Sequence, residues 1–162
     1  MPHINDLIDY CVEVFVVDGN RVLLRKHDKY GIWLSVGGHI ELDEDPNEAA
    51  IREVKEEVGL SIKLFYDSEI PIGRVNDSYR ELIPPQHLSI HRISDKDKPN
   101  HRHTTHVYYA TSETDELNLS EEERSEDCRW FTREELDTLK VHTSNEERVK
   151  EYARQALDKL AS

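Results

Sequence analysis

Three glutamates, Glu53, Glu56 and Glu57, fall within five residues of one another, directly behind Arg52. On a helix, spacings of three and four are neighbours, so these carboxylates share one stripe. Like charges placed together repel, and nothing in folding asks for them there. Carboxylates are hard oxygen donors suited to Mg²⁺ or Mn²⁺, ions commonly held alongside substrate phosphates. Such ions bridge a diphosphate, offset charge developing in the transition state and activate a water. A solvated acidic helix face is the plainer explanation of the stripe. It is weakened by the company the stripe keeps, because Gly37-Gly38, Glu44 and Arg52 stand at short, definite spacings from it.

The stripe requires a helix, and the chain punctuates one clearly. Asp45 suits the N-cap, Pro46 the first helical position, and Glu48 closes a capping box. Gly59 supplies the C-terminal stop. At 100° per residue, Ala50, Ile51, Val54 and Val58 gather on one face for docking. Arg52 stands four residues before Glu56 and four after Glu48, within reach of either. Ahead of the helix, Trp33-Leu34-Ser35-Val36 runs into Gly37-Gly38, where paired glycines allow a backbone path other residues resist.

The remaining elements form a sheet with further helices. Val12 to Val17, a turn at Asp18-Gly19-Asn20, and Arg21 to Arg25 read as a hairpin whose strands are apolar on nearly every residue. Such strands belong in a sheet covered on both faces. Ser61 to Tyr66 reads as a strand and Ile70 to Pro85 as irregular. His87 to Ile93 and Thr104 to Thr111 form an antiparallel pair, and Asp127 to Phe131 a short strand. Thr132-Arg133-Glu134-Glu135 opens a short helix. Ser144-Asn145-Glu146-Glu147 opens a longer one, with Val149, Tyr152, Ala153, Ala156, Leu157 and Leu160 as an apolar stripe suited to packing on the sheet. The order argues for α+β or an α/β/α sandwich.

A length of 162 residues suits one domain, residues 1–162, with no repeat or linker to divide it. The net charge of −13, with no Lys/Arg cluster, disfavours nucleic acid and anionic membrane as partners. An acidic protein acting on a polyphosphate needs cations between itself and its ligand. No apolar run approaches a membrane span, and MPHINDLIDY lacks the features of a signal peptide. With two cysteines only, Cys11 and Cys128, buried thiols and a cytoplasmic location are the expectation.

From Gly38 to Leu60 the chain reads GHIELDEDPNEAAIREVKEEVGL. This resembles, at every defined position, the signature of the Nudix hydrolases, Gly-x5-Glu-x7-Arg-Glu-U-x-Glu-Glu-x-Gly-U with U aliphatic. A chance match is expected at ~10⁻¹⁰ per starting position from average residue usage. The resemblance implies a Nudix fold, a mixed sheet between helices. It also implies metal-dependent cleavage of a nucleoside diphosphate linked to another moiety, releasing a nucleoside monophosphate and a phosphorylated remainder. It assigns Glu53, Glu56 and Glu57 to Mg²⁺ (or Mn²⁺), with Glu53 also the candidate general base and the Gly38 carbonyl a further ligand. Arg52 orients a glutamate through a charge-assisted hydrogen bond, and Glu44 supports the loop-helix geometry. Some relatives take another glutamate from a loop outside the signature; Glu121, Glu122, Glu123 and Glu126 stand in such a stretch, and Glu123 is the choice. Many relatives dimerise, and a homodimer stays open here, although no apolar interface patch is marked.

Two other functions compete. A non-catalytic nucleotide-binding module usually loses signature carboxylates, and here all are kept. Isopentenyl-diphosphate isomerisation on a related fold relies on a cysteine just ahead of the glycines, where this chain has Ser35-Val36.

Histidines gather in the second half at His87, His91, His101, His103 and His106. A zinc site needs three or four convergent ligands, and no cysteine stands nearby in the chain. The reading is therefore of edge-strand or surface histidines, with His91 and His103 set to touch substrate. Tyr79 is a further substrate-binding candidate. No marker downstream of the signature identifies the diphosphate.

Overall fold

The computed structural model describes residues 7–27, 31–67, 69, 72–76, 78–92, 101–119 and 127–162. Its centre is β1 (Ile8–Asp18), whose side chains alternate between two cores as strand geometry dictates. Val12, Val14 and Val16 enter one apolar cluster, Phe15 and Val17 the other. That alternation explains why nearly every residue of the strand is apolar: both faces are covered.

Three strands meet β1. The hairpin turn brings β2 (Arg21–His27) against it only at Val17↔Val22 and Asp18↔Arg21. Further back, β4 (Val36–His39) pairs antiparallel from Cys11↔His39 to Val14↔Val36. On its other side β9 (Arg102–Ser112) runs parallel, from Ile8↔Arg102 to Val17↔Thr111. The sheet is completed by β10 (Cys128–Thr132) and β3 (Ile32–Leu34) on β2, and by β5 (Ile62–Leu64) and β8 (His87–Arg92) on β9. The mixed pairing gives the order β10-β2-β1-β9-β5.

Helix α1 (Pro46–Val58) covers one face with Ala49, Ala50, Val54 and Val58. On the other face lie α2 (Arg133–Thr138) and α3 (Ser144–Leu160), which bury Leu136, Val149, Ala153, Ala156 and Leu157. The architecture is an α+β sandwich with helices on both sides of a mixed sheet. No helix among the described residues is long and apolar enough to cross a membrane.

Local signals succeeded where the physics is local. Asp45 accepts from the Asn47 and Glu48 amides, Glu48 returns the capping box, and Gly59 ends α1 at φ 75°. Elsewhere the structure differs from the expectations. Ile51 is 45% exposed and Ala49 takes its place in the core, so the apolar face is rotated by part of a turn. The N-cap of α3 is Thr143, one residue earlier than expected, and its hydroxyl accepts from the Glu146 amide. The stretch expected to be irregular contains a small ribbon, β6 (Arg74–Asn76) with β7 (Tyr79–Arg80). Its Arg80 pairs with Asp45 and Glu48 at the start of α1, so Glu48 is engaged there and Arg52 turns to other partners. Cys11 is buried and Cys128 half-buried.

Candidate active site

The signature helix and the glycine strand are packed into one unit. The Gly37 amide donates to Glu57 Oε2 at 3.1 Å, joining β4 to α1. A side chain on Gly38 would stand 2.6 Å from the Glu53 carboxyl carbon, so the absent Cβ is where Glu53 lies. Arg25 on β2 approaches Glu57 Oε1 at 3.4 Å.

Arg52 organises the rest. Its Nε and Nη2 donate to the two oxygens of Glu44 at 2.9 and 2.6 Å, the bidentate geometry that favours arginine over lysine. Nη1 donates to Glu53 and Glu56 at 3.0 Å each, and Nη2 also to the His39 carbonyl at 3.0 Å. Glu44 in turn accepts from the Glu41 amide, so it braces the loop before the helix. The hydrogen bonds from Arg52 hold the Glu44 carboxyl below the usual carboxylate range, and the same partners push the arginine upward. Glu53 moves the other way, because burial raises it and Arg52 only partly offsets that. Replacing Arg52 by lysine keeps one charge and loses the fork; we expect kcat/KM to fall about 10- to 100-fold, the scale at which residues supporting metal ligands act, with urea titration showing a loss of about 2 kcal/mol. Steady-state kinetics with varied Mg²⁺ checks this.

Beside Gly37 and Gly38 lies a cavity of about 380 Å³, on the α3 side of the sheet. Glu13, Arg25, Ser35, His91, His103 and Thr105 supply much of its polar lining, with Cys11, Leu34 and His39 at its wall. The volume falls within the range of small-ligand pockets. Arg148 on α3 clamps the Glu13 carboxylate with two bonds of 3.0 and 3.2 Å. Burial lowers the pKa of both His91 and His103; next in order, Arg148 acts on His91, and His39 and His101 on His103. Burial, then Asp9, Glu13 and Glu53, push the Cys11 thiol up to about 12, so it stands protonated at neutral pH.

The structure thus brings Arg52, Glu53, Glu56, Glu57 and Gly38 together, and places His91 and His103 in the adjoining cavity. Tyr79 stands exposed on the ribbon and is not among the cavity-lining residues. Glu123, with Glu121, Glu122 and Glu126, lies outside the described residues. Sequence reasoning passed over Glu13, Arg25 and Thr105. One signal was available, since Glu13 is the one charge within the apolar run from Val12 to Val17. The histidines read as edge-strand or surface residues lie close together: His101 and His103 meet each other and Asp9, and Cys11, His39 and His103 also converge. Strand pairing supplies the Asp and Cys neighbours that the linear sequence does not.

Residues 9–154 match the family model of the NUDIX domain. A solved structure of a NUDIX-family hydrolase from Clostridium perfringens is similar at 32% identity and TM-score 0.75, covering 96% of this chain and 98% of that one. A Caenorhabditis elegans Ap4A hydrolase, 17% identical with TM-score 0.56 over 93% of each chain, shares the fold. A dihydroneopterin triphosphate diphosphatase from Haemophilus influenzae is 50% identical over 52 residues, which make up 32% of this chain and 33% of that protein. The matched segment thus spans about a third of that relative's length. The chain belongs to the Nudix hydrolase family, a family of pyrophosphohydrolases that use divalent metals.

The residues present fit such a metal. Among the described residues, four carboxylates here, Glu44, Glu53, Glu56 and Glu57, meet two guanidiniums, Arg52 and Arg25. The excess is negative, and the donors are the hard oxygens that Mg²⁺ prefers.

Proposed function

We propose that this protein is a Mg²⁺-dependent (or Mn²⁺-dependent) pyrophosphohydrolase that cleaves the diphosphate of a nucleoside diphosphate linked to another moiety. The observation that carries the reading is the junction at Gly37-Gly38. There the carboxylate group of α1 and the cavity meet on either side of one strand. A diphosphate lying at the junction reaches the carboxylates while its organic group enters the cavity. Divalent ions, when bound, would supply charge neutralisation and water activation. Glu53, Glu56, Glu57 and the Gly38 carbonyl would hold them. Glu53, half-buried and raised in pKa, accepts the proton of the attacking water. Arg52 keeps Glu53 and Glu56 in place, and His91 and His103 contact the group in the cavity.

The test is a hydrolysis screen with Mg²⁺ over nucleotide sugars, dinucleoside polyphosphates, deoxynucleoside triphosphates and ADP-ribose. Dihydroneopterin triphosphate joins the panel because of the partial relative. The expected result is turnover of a nucleoside diphosphate derivative to the monophosphate and a phosphorylated remainder. Turnover of the pterin compound alone, or of none, overturns the nucleoside assignment.

A further inference from the structure

The parallel pairing of β1 with β9 sets Asp9 directly opposite His103. His101, just before β9, is buried beside them. Its Nε2 lies 2.8 Å from Asp9 Oδ2 and 2.9 Å from His103 Nε2. His39, at the end of β4, brings its Nε2 to 3.7 Å from the same Asp9 oxygen, and its ring meets that of His103 edge-on with centroids 5.1 Å apart.

Hydrogen bonding does not account fully for this arrangement. A neutral imidazole nitrogen offers one hydrogen or one lone pair. His101 Nε2 has two close partners and at most one hydrogen for both. If it donates to Asp9, the His103 nitrogen faces it without a hydrogen of its own from that atom. If it accepts from His103, its lone pair faces a carboxylate. A cation among the three ligand atoms resolves the conflict, since all three then direct lone pairs at one centre. The set of two imidazoles and a carboxylate suits zinc, in contrast to the all-oxygen carboxylate group on α1. Tetrahedral ligands at Zn–N distances near 2.0–2.1 Å stand about 3.3 Å apart, so small rotations of the rings suffice.

We propose that Asp9, His101 and His103 form a zinc site, with His39 as the fourth ligand, that clips the start of β1 to the start of β9 at the cavity rim. The site includes none of the α1 carboxylates; its His103 is also the residue proposed above to face the group in the cavity, so zinc binding is read in the absence of substrate. The ligand atoms of Cys11, His39 and His103 also lie within 4.8 Å of one another. Because His103 belongs to both groups, one ion excludes the other, and the experiment must tell them apart.

Full-length protein stripped with chelator is titrated with zinc chloride by calorimetry, with excess Mg²⁺ present to engage the α1 carboxylates. One equivalent of zinc is expected to bind, and saturating zinc to raise the melting temperature, as for any ligand of the folded state. His101→Gln is expected to weaken zinc binding about 100-fold and abolish the thermal shift, while Mg²⁺-dependent turnover persists. Should His101→Gln fail to fold, Asp9→Asn, at a more exposed position, replaces it. Glu56→Gln is expected to bind zinc like wild type. The proposal is overturned by no zinc uptake in Mg²⁺, by undiminished affinity in His101→Gln and Asp9→Asn, or by loss of binding in Glu56→Gln. Loss confined to Cys11→Ser overturns the ligand assignment.

Discussion

Replacing Glu56 by glutamine is expected to lower Mg²⁺-dependent turnover by about 1,000-fold and to leave the melting temperature within about 4 °C of wild type. The side chain is 63% exposed, and its one resolved ion pair is the 3.0 Å contact with Arg52. Exposed pairs of this kind contribute about 0–1 kcal/mol, and the amide oxygen of glutamine still accepts from the guanidinium. What the substitution removes is a negative charge from a group whose excess of charge has no structural use. The loss therefore falls on metal-assisted chemistry. Glu57→Gln is the companion: it is expected to lose turnover too, and at some cost in stability because the largely buried Glu57 carboxylate faces the Arg25 guanidinium at 3.4 Å. Wild-type rates in both variants, measured over a range of Mg²⁺, would sink the mechanism.

Two neighbouring glycines are expected to fail in different ways. Gly37 has φ 153°, and a Cβ there would collide with the Val12 carbonyl, its carbonyl carbon only 2.9 Å away. That obstacle is backbone held in the β1–β4 pairing, next to Glu13↔Gly37 in the register. It cannot step aside without unzipping the strand that walls the cavity. Gly37→Ala thus costs about 3 kcal/mol or more, seen as a melting temperature lower by roughly 6–12 °C. At Gly38 the obstacle is the end of a side chain, the Glu53 carboxylate. A side chain can move. Gly38→Ala is expected to cost only about 1 kcal/mol but to displace Glu53 by about 1 Å, which lowers kcat about 100-fold. Differential scanning calorimetry and single-turnover kinetics on both variants separate the two effects. Full activity in Gly38→Ala would remove Glu53 from the reacting centre.

The parts of this protein legible in its sequence are those whose physics is carried by near neighbours. The cap at Asp45, the stop at Gly59, the hairpin turn and the stripe of Glu53, Glu56 and Glu57 follow from dihedral preferences and helical spacing within a few residues. Even there, side-chain competition shifted details: Ala49 displaced Ile51 from the core, and Arg80 drew Glu48 away from Arg52. The order of elements left α+β and an α/β/α sandwich open, and the resemblance of Gly38 to Leu60 to the Nudix signature pointed to the sandwich.

The cavity and the histidine cluster had no such signal. Glu13 and its clamp Arg148 are 135 residues apart in the chain. Asp9 meets His103, and Cys11 lies beside His39, only because β1 pairs with β9 on one side and β4 on the other. Register between distant strands is decided by which faces bury together, a property of the whole sheet rather than of any short segment. The sequence by itself therefore determined where the carboxylate group stands, on a single helix and its leading loop. Only the tertiary structure decided what stands across from it, because that surface is assembled from residues that become neighbours when the strands pair.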